Sequence, residues 1–288
     1  MPDSQIQIRR VLPEDKVVCG RICYDAFAAI NSQHNFPPEL PSVDAATGMV
    51  GHIFAHPAFY CVVAEVNGQI IGSNCMDERS PIAGIGPITV DPSSQNHGAG
   101  RLLMEAVMDR ARQKAFAGVR LVQAAFHNRS LSLYTKLGFD AREPLSVMRG
   151  ASINKKIPGC DVRAAHHSDL ESCNQVATRV HGHHRSGEVL DSLERGSALV
   201  VERHGAITGY ATAFGYGGHA VGLSNLDLMA LIAAAPEIPP PGMLVPTCNA
   251  ELFRWCLSSG LRVIQPMTLM TMGLYNEPVG AYLTSILY

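Results

Sequence analysis

The sequence has no long hydrophobic run of the kind that a membrane-spanning helix requires. No stretch of about 18 consecutive apolar residues occurs, and the most apolar segment, residues 226–235, contains Asp227 and is followed by Pro236. The first ten residues also lack the apolar core of a signal peptide. We therefore expect no membrane span and a cytoplasmic location.

Charge of one sign is not in excess. Lys and Arg total 23 and Asp and Glu total 25, which gives a net charge of −2. A dedicated nucleic-acid-binding protein usually carries a basic face, so this balance argues against that class. Hydrophobic residues make up 47% of the 288 residues, enough for a buried core. At about 150 residues per domain, the length predicts two domains.

Paired metal-ligand motifs are also missing. The eight cysteines include no Cys-x-x-Cys pair, which argues against zinc-ribbon and thioredoxin-type sites, and we expect them to be small buried hydrophobic residues. His181, His183 and His184 have no second Cys or His pair at ligand spacing, so we interpret them as a solvated loop. We expect no bound metal.

Three local similarities in the same order indicate an internal repeat. The matching pairs are Arg9 with Arg163 (followed by Asp15 and Asp169), Glu65-Val66-Asn67-Gly68 with Glu202-Arg203-His204-Gly205, and Asn128…Tyr134…Gly138 with Asn249…Trp255…Gly260. We predict two domains of one type, residues 1–150 (the first copy) and residues 160–288 (the second copy). Loop-type residues lie between them.

Hydrophobic periodicity predicts mixed strands and helices in the first copy. Strands are predicted at residues 5–10, 60–66, 69–76, 85–90, 119–125 and 145–149, and helices at 15–30, 44–55, 98–115 and 129–136. Asn67-Gly68 indicates a hairpin, because both residues tolerate positive φ. This mixture predicts an α/β or α+β fold. In the second copy, the apolar end at residues 282–288 predicts a docked strand.

The segment 88–103 is the most informative part of the chain. A strand ends at Asp91-Pro92, and a polar loop with two glycines then opens into an amphipathic helix. Backbone N–H groups and the helix dipole favour an anion there, and glycine lets the backbone approach a phosphate closely. Two known phosphate loops do not fit, because no P-loop lysine follows and Leu103 replaces the third glycine of a dinucleotide fingerprint. On spacing alone, a plain strand–loop–helix connection is an equal alternative.

Gln95-x-x-Gly98-x-Gly100, placed after this strand, resembles the acyl-CoA pyrophosphate loop of the GNAT N-acetyltransferase superfamily. Asn128, Tyr134 and Leu137-Gly138-Phe139 resemble the Asn…Tyr…Leu-Gly-Phe element of the same family. The two motifs in this order are more specific than either alone. The resemblance implies two tandem GNAT-like domains, each with a mixed, mostly antiparallel sheet flanked by helices. It also implies acetyl-CoA as co-substrate.

The resemblance further implies a role for each matching residue. The backbone of the strand around Ile88 and Val90 would pair with the pantetheine arm, and N–H groups of the loop would hold the pyrophosphate. Asn128 would bind on the thioester side, and Tyr134 would protonate the departing thiolate. The implied cofactor-binding residues are Ile88, Thr89, Val90, Gln95, Asn96, His97, Gly98, Ala99, Gly100, Arg101, Leu102, Asn128 and Leu131.

A general base is not identified by the sequence. The candidates are Glu65, Asp77, Glu78 and His127, each of which is also compatible with a solvated surface position. An N–H donor at the strand end would stabilise the oxyanion.

The second copy departs from the family pattern. No Gln-x-x-Gly-x-Gly loop precedes its apolar helix, and Trp255 aligns with Tyr134 although an indole is not a comparable acid. We interpret residues 160–288 as a degenerate GNAT-like domain that has lost catalysis and closes part of the acceptor pocket.

The leading hypothesis is an acetyl-CoA-dependent N-acetyltransferase that transfers an acyl group to a primary amine in a ternary complex. The acceptor would be a small molecule, with no nucleic acid or membrane involved, and the protein a monomer or homodimer. A non-catalytic acyl-CoA sensor and a purely structural role are the alternatives.

Overall fold

The computed structural model describes residues 5–288 and divides by contacts into two compact units. The first unit contains the residues up to Glu78 together with Ile82–Val119. The second contains Arg79–Pro81 and Arg120–Tyr288. The strands and helices are mixed in both, so the predicted α/β class is confirmed. The domain boundaries predicted from the repeat stay a prediction.

The first unit is an antiparallel sheet with three helices. Its strands, in the spatial order β1-β2-β3-β4, are β1 (Gln7–Arg10), β2 (Phe59–Val66), β3 (Gln69–Asp77) and β4 (Ile82–Val90). Its helices are α1 (Lys16–Gln33), α2 (Val43–Ala55) and α3 (Ala99–Gln113). Each element lies within a few residues of its predicted position. The β2–β3 turn has φ values of +52° at Asn67 and +76° at Gly68, as the hairpin prediction requires.

The second unit contains two sheets. One has the order β5-β12-β6-β11, formed by β5 (Gly118–Ala124, which begins in the first unit), β6 (Asp140–Arg149), β11 (Met243–Pro246) and β12 (Arg262–Gly273). In it, β6 pairs antiparallel with β12 on one side and with β11 on the other. A strand of the first copy therefore lies between two strands of the second.

The other sheet has the order β13-β10-β9-β8-β7 and is antiparallel throughout. Its strands are β7 (Asp161–Ala164), β8 (Leu199–Arg203), β9 (Ala206–Ala211), β10 (Ala220–Gly222) and β13 (Ala281–Leu283). The helices of this unit are α4 (Asn128–Lys136), α5 (Leu170–His181), α6 (Ser186–Glu194), α7 (Asn225–Ala234) and α8 (Ala250–Ser258). The strand expected at 282–288 is shorter than predicted and ends at Leu283, although Tyr288 is buried.

Apolar side chains of both units lie between sheets and helices. In the first unit, Cys19 and Cys23 of α1 pack with Val50 of α2 and Val63 of β2. Seven of the eight cysteines are buried and Cys248 is exposed, which largely confirms the prediction of small buried hydrophobic residues. No helix among the described residues is both long and apolar enough to cross a membrane.

Candidate active site

The loop between β4 and α3 is fixed by its own side chains. The Asp91 carboxylate accepts hydrogen bonds from the backbone N–H and the hydroxyl of Ser93, at 2.8 and 2.5 Å. The Gln95 side-chain amide donates to the carbonyl oxygen of Val90, the last residue of β4, at 3.1 Å. His97 Nδ1 lies 2.8 Å from the Gln95 carbonyl oxygen. Gln95 thus ties the loop to the strand, which is a positioning role for the side chain of the motif.

The N-terminus of α3 is open. Its N-cap residue, Gly98, has φ +89°, a left-handed conformation that glycine adopts without strain. A Cβ at Gly98 would meet no atom of the described residues within 4 Å. No side chain caps the helix and its first turn contains no acidic residue, whereas Arg101 is exposed there. Uncapped N–H groups, the helix dipole and a nearby cation together favour an anion such as a phosphate.

The strand that leads into the loop is held on one side by β3. Ile88, Thr89 and Val90 lie opposite Asn74, Ser73 and Gly72 respectively. The Thr89 hydroxyl is buried and has no hydrogen-bond partner among the residues described.

Asn74 is a positioning residue that sequence reasoning missed. It is fully buried on β3, and its amide donates to the carbonyl oxygen of Leu103 in α3 at 3.2 Å. This bond fixes the second turn of α3 against the sheet. The sequence signal was the polar pair Ser73-Asn74 in the middle of β3, which alternation alone does not explain.

Two of the four candidate bases are held by arginines. Arg9 forms ion pairs with Asp15 and with Glu65, both at 2.7 Å. Glu78 accepts two hydrogen bonds from Arg110, at 2.6 and 3.0 Å. Glu65 and Glu78 are therefore each held by a guanidinium and do not extend freely into solvent. Asp77 is 5% exposed, which corrects the interpretation of a solvated surface residue.

The Asn-to-Phe segment of the second unit forms α4 and its C-terminal cap. Asn128 is the first residue of α4 and exposed, Leu131 is half-buried, and Tyr134 is 6% exposed. Gly138 has φ +97°. Its N–H donates to the Thr135 carbonyl, and the Phe139 N–H donates to the Tyr134 carbonyl, at 3.1 and 3.0 Å. This is a Schellman motif, which explains why Leu-Gly-Phe follows the tyrosine.

Tyr134 has an apolar environment. Its ring contacts Phe139 edge-on, with 6.3 Å between ring centroids. Burial raises the pKa of the Tyr134 phenol above its ordinary value. The phenol is therefore protonated at neutral pH and is able to donate a proton.

The second copy repeats this helix cap, and the repeat corrects one predicted equivalence. Gly260 has φ +90° and donates to Leu257, and the Leu261 N–H donates to the Cys256 carbonyl, both at 3.1 Å. Counted back from the two capping glycines, Tyr134 corresponds to Cys256 and not to Trp255. Cys256 is fully buried, as its counterpart nearly is. The inference that this copy lacks the phenol is unaffected.

The helix of the second copy that corresponds to α3 has a filled N-terminus. Asp227 of α7 is fully buried and accepts from the backbone N–H of Ser224 at 2.9 Å and from its hydroxyl at 2.8 Å. The Thr208 hydroxyl donates to the other carboxylate oxygen at 2.6 Å, and Arg203 Nε lies 2.8 Å from it. A carboxylate of the chain itself thus occupies the helix end where an external anion would bind.

His181 and His183 are not solvated as the sequence predicted, whereas His184 is exposed. His181 and His183 are 1% and 8% exposed, and burial lowers the pKa of His183 to about 4. Both rings lie beside the Tyr288 ring. Within residues 5–288, no group of three or more His, Cys, Asp or Glu side chains could hold a metal ion.

Residues 24–139 match the sequence model of the Acetyltransferase (GNAT) family. A curated relative, mycothiol acetyltransferase of Nocardia farcinica, is 36% identical over 63 residues, which are 22% of this chain and 21% of that protein. The matched part of the chain therefore spans about a fifth of that relative.

Two solved structures share the fold over nearly the whole chain. One, from Pyrococcus horikoshii and assigned as an acetyltransferase, has a TM-score of 0.74 at 18% identity and covers 98% of this chain and 94% of its own. The other, a GCN5-related N-acetyltransferase from Sphaerobacter thermophilus, has a TM-score of 0.61 at 14% identity and covers 96% and 98% respectively.

Proposed function

Because residues 24–139 belong to the Acetyltransferase (GNAT) family, we propose that the protein is an acetyl-CoA-dependent N-acetyltransferase with a small primary amine as acceptor. The observation that carries the proposal is the uncapped N-terminus of α3 behind Gln95-x-x-Gly98-x-Gly100. A plain connecting loop would not need a left-handed glycine over open space or a helix end without a cap.

The loop and β4 provide the binding groups for the co-substrate. In our proposal, backbone N–H groups from Gln95 to Arg101 hold the pyrophosphate, and the exposed Arg101 side chain adds positive charge. Leu102, predicted as the last of these residues, instead donates its N–H to the Gly98 carbonyl at 3.1 Å. The main chain at Ile88, Thr89 and Val90 pairs with the pantetheine arm as an added strand would. Asn128 and Leu131 bind on the thioester side.

Tyr134 carries the proton step. The amine nitrogen attacks the thioester carbonyl carbon, a C–N bond forms, and the C–S bond breaks in collapse of the tetrahedral adduct. The Tyr134 hydroxyl donates its proton to the departing sulfur. The phenol carries this proton at neutral pH, because the ordinary pKa of tyrosine is about 10. The phenolate then takes up the proton that the former amine nitrogen releases as the amide forms. A main-chain N–H group at the end of β4 stabilises the oxyanion of this adduct.

The acceptor attacks as a neutral amine, so its protonated form must first lose a proton to a base. The candidates for this role are the four side chains of the predicted set, Glu65, Asp77, Glu78 and His127. The near-balanced net charge argues against a nucleic acid as the partner and does not select among amine acceptors. The proposed enzyme works as a monomer or homodimer.

The test combines cofactor binding with turnover. Acetyl-CoA at about 100 times its dissociation constant should add roughly 2.7 kcal/mol to the unfolding free energy, and Gly100→Trp should abolish this gain. Thiol release with a panel of primary amines then tests catalysis. Tyr134→Phe should lower kcat by roughly 10²-fold and keep the acetyl-CoA stabilisation.

Trp255→Phe is the matched control, because it changes an aromatic ring in the corresponding helix of the second copy. We expect it to leave turnover unchanged. Acetyl-CoA binding without thiol release for any amine would contradict the enzyme and leave a sensor. No stabilisation by acetyl-CoA would overturn both.

A further inference from the structure

A cleft of about 480 Å³ lies in the second unit, at the N-terminal ends of α7 and α8. Its lining includes Asn225 from α7, Asn249 and Glu251 from the start of α8, Glu143 from β6, and Glu277 from the segment before β13. This volume is within the range of small-molecule sites. We call it the acidic cleft.

The charge of the acidic cleft is negative throughout. It is lined by Glu143, Glu251 and Glu277, and none of the described residues that line it is a Lys, Arg or His. The amides of Asn249 and Asn225 are bonded to each other at 2.7 Å, and Asn225 donates to Glu251 at 2.6 Å. The two asparagines therefore hold the ends of α7 and α8 together beside the carboxylates.

Glu143 is half-buried in the cleft wall, and no described cation pairs with it. Burial raises the pKa of its carboxyl, the Cys248 N–H lowers it, and the negative charge of Glu277 raises it again, with a net increase. The Cys248 N–H donates to it at 3.3 Å. A bound cation would relieve both the burial of this charge and its repulsion from Glu277.

Tyr282 is a second, independent sign of a ligand. Its side chain lines the acidic cleft and is 7% exposed, and its hydroxyl oxygen has no hydrogen bond of good geometry among the described residues, where the Tyr275 hydroxyl is its polar neighbour. Burial, and then the nearby charge of Glu143, raise the pKa of this phenol. Tyr282 and Glu143 both line the cleft, so a ligand N–H bound there could donate to the phenol oxygen as well as to the carboxylate.

We propose that the acidic cleft binds a ligand with two or more ammonium groups on an aliphatic chain. Ammonium groups match the spread of three carboxylates, and Pro246, Pro278 and the Tyr282 ring provide apolar surface for methylene groups. A divalent metal is a poorer match, since no three carboxylate, His or Cys side chains of the described chain converge for one. Coenzyme A is excluded by charge, because its phosphates would face three carboxylates and Asp227 fills the end of α7.

The site is separate from the proposed catalytic machinery, so its test uses binding and not turnover. The probe is spermidine, titrated calorimetrically into the full-length protein at low and at high salt. We expect saturable binding that weakens with salt, since exposed charges are screened. A monoamine of similar length should bind at least roughly fivefold more weakly, because it loses one ammonium–carboxylate contact.

Substitutions of residues that line the acidic cleft test whether spermidine binds there. Glu143→Gln should weaken spermidine binding by roughly fivefold, and Glu143→Gln with Glu277→Gln by roughly 25-fold if the effects are independent. Tyr282→Phe should have a smaller effect. Glu194→Gln is the matched control, because Glu194 is an exposed carboxylate of the same unit outside the cleft. Thermal unfolding of each variant confirms that it is folded.

Several results would overturn the proposal. The first is that spermidine shows no saturable binding, and the second is that Glu143→Gln leaves its affinity unchanged. The third is that Glu194→Gln lowers the affinity as much as the cleft variants do. If spermidine binds neither protein but a lysine-rich peptide binds the wild type and not the double variant, the small-ligand proposal is overturned in favour of a basic peptide segment.

Discussion

The two copies of the repeat share a framework of charged contacts. In the first copy, Arg9 pairs with Asp15 and Glu65, and in the second Arg163 pairs with Asp169 and Glu202. Asp15 accepts from the backbone N–H of Leu12 at 2.7 Å, and Asp169 accepts from that of His166 at 2.8 Å. The same bonds thus join the first strand, the first helix and the second strand of each copy.

The copies differ at the helix that follows the fourth strand. In the first copy the N-cap residue of α3 is Gly98, which has no side chain to cap the helix, and in the second the N-cap residue of α7 is Ser224, which is bonded to the buried Asp227. The second copy thus places a carboxylate of the chain at the end of α7, whereas the end of α3 is open to an external anion. The comparison shows two ways in which the same helix position is arranged.

The largest expected effect comes from removing that carboxylate. Asp227→Asn leaves the partly buried Arg203, whose side chain is 24% exposed, without its counter-charge. We expect a loss of about 2–3 kcal/mol in the unfolding free energy, at the lower end for a broken buried pair because of that exposure. Urea denaturation measures it.

Glu105→Gln in α3 is the control, because it breaks the exposed Arg101–Glu105 pair of the first copy. That change should cost less than about 0.5 kcal/mol. Equal losses of unfolding free energy in the two variants would mean that Asp227 contributes no more than an exposed charge does. The difference between the open end of α3 and the filled end of α7 would then have no energetic consequence.

Much of this contrast was within reach of the sequence. Ser224-x-x-Asp227 ahead of an apolar run is a capping-box pattern, and it predicts a filled helix end as directly as Gln95-x-x-Gly98-x-Gly100 predicts an open one. The strands and helices of the first copy followed from local periodicity and turn residues, because these signals are contained in a few neighbouring residues.

Other features depend on contacts distant in sequence. The ion pair of Glu78 with Arg110 joins residues 32 apart, and the burial of His181 depends on packing against Tyr282 and Tyr288. The pairing of β6 with β12 joins the two copies, which local periodicity does not encode. The sequence paired Tyr134 with Trp255 because the alignment started from Asn128 and Asn249. The capping glycines fix the register instead, and they pair Tyr134 with Cys256.

A smaller effect is expected from the shared carboxylates, and it tests whether the copies are energetically alike. Burial alone would raise the pKa of Asp15, but the Arg9 guanidinium and the Leu12 N–H outweigh it and lower the pKa below 3.8. The Arg163 guanidinium lowers the pKa of Asp169 in the same way, against burial. Each carboxylate therefore contributes stability above about pH 4, and this contribution is lost as the pH falls through the lowered pKa.

Asp15→Asn and Asp169→Asn should each cost about 1–2 kcal/mol at neutral pH. The difference from wild type should shrink as the pH falls below 3.8. Unfolding free energies measured from neutral pH to about pH 2.5 test this, with the exposed Asp109→Asn as control. If only one of the two variants shows a pH-dependent loss of unfolding free energy, the two carboxylates contribute differently to stability despite their matching geometry.

The smallest effect concerns the hairpin turns, which are the closest match between the copies. Asn67-Gly68 and His204-Gly205 have the same φ values, +52° and +76°. Asparagine tolerates the left-handed conformation better than other non-glycine residues because its short side chain bonds locally. His204 is exposed, so His204→Asn should stabilise the protein by roughly 0.5 kcal/mol, the upper range for surface changes. Thermal unfolding at neutral pH measures the gain, and His204→Ala, which lacks the local bond, is the control. A loss of stability in His204→Asn would mean that the histidine ring makes a stabilising contact that has no counterpart at Asn67.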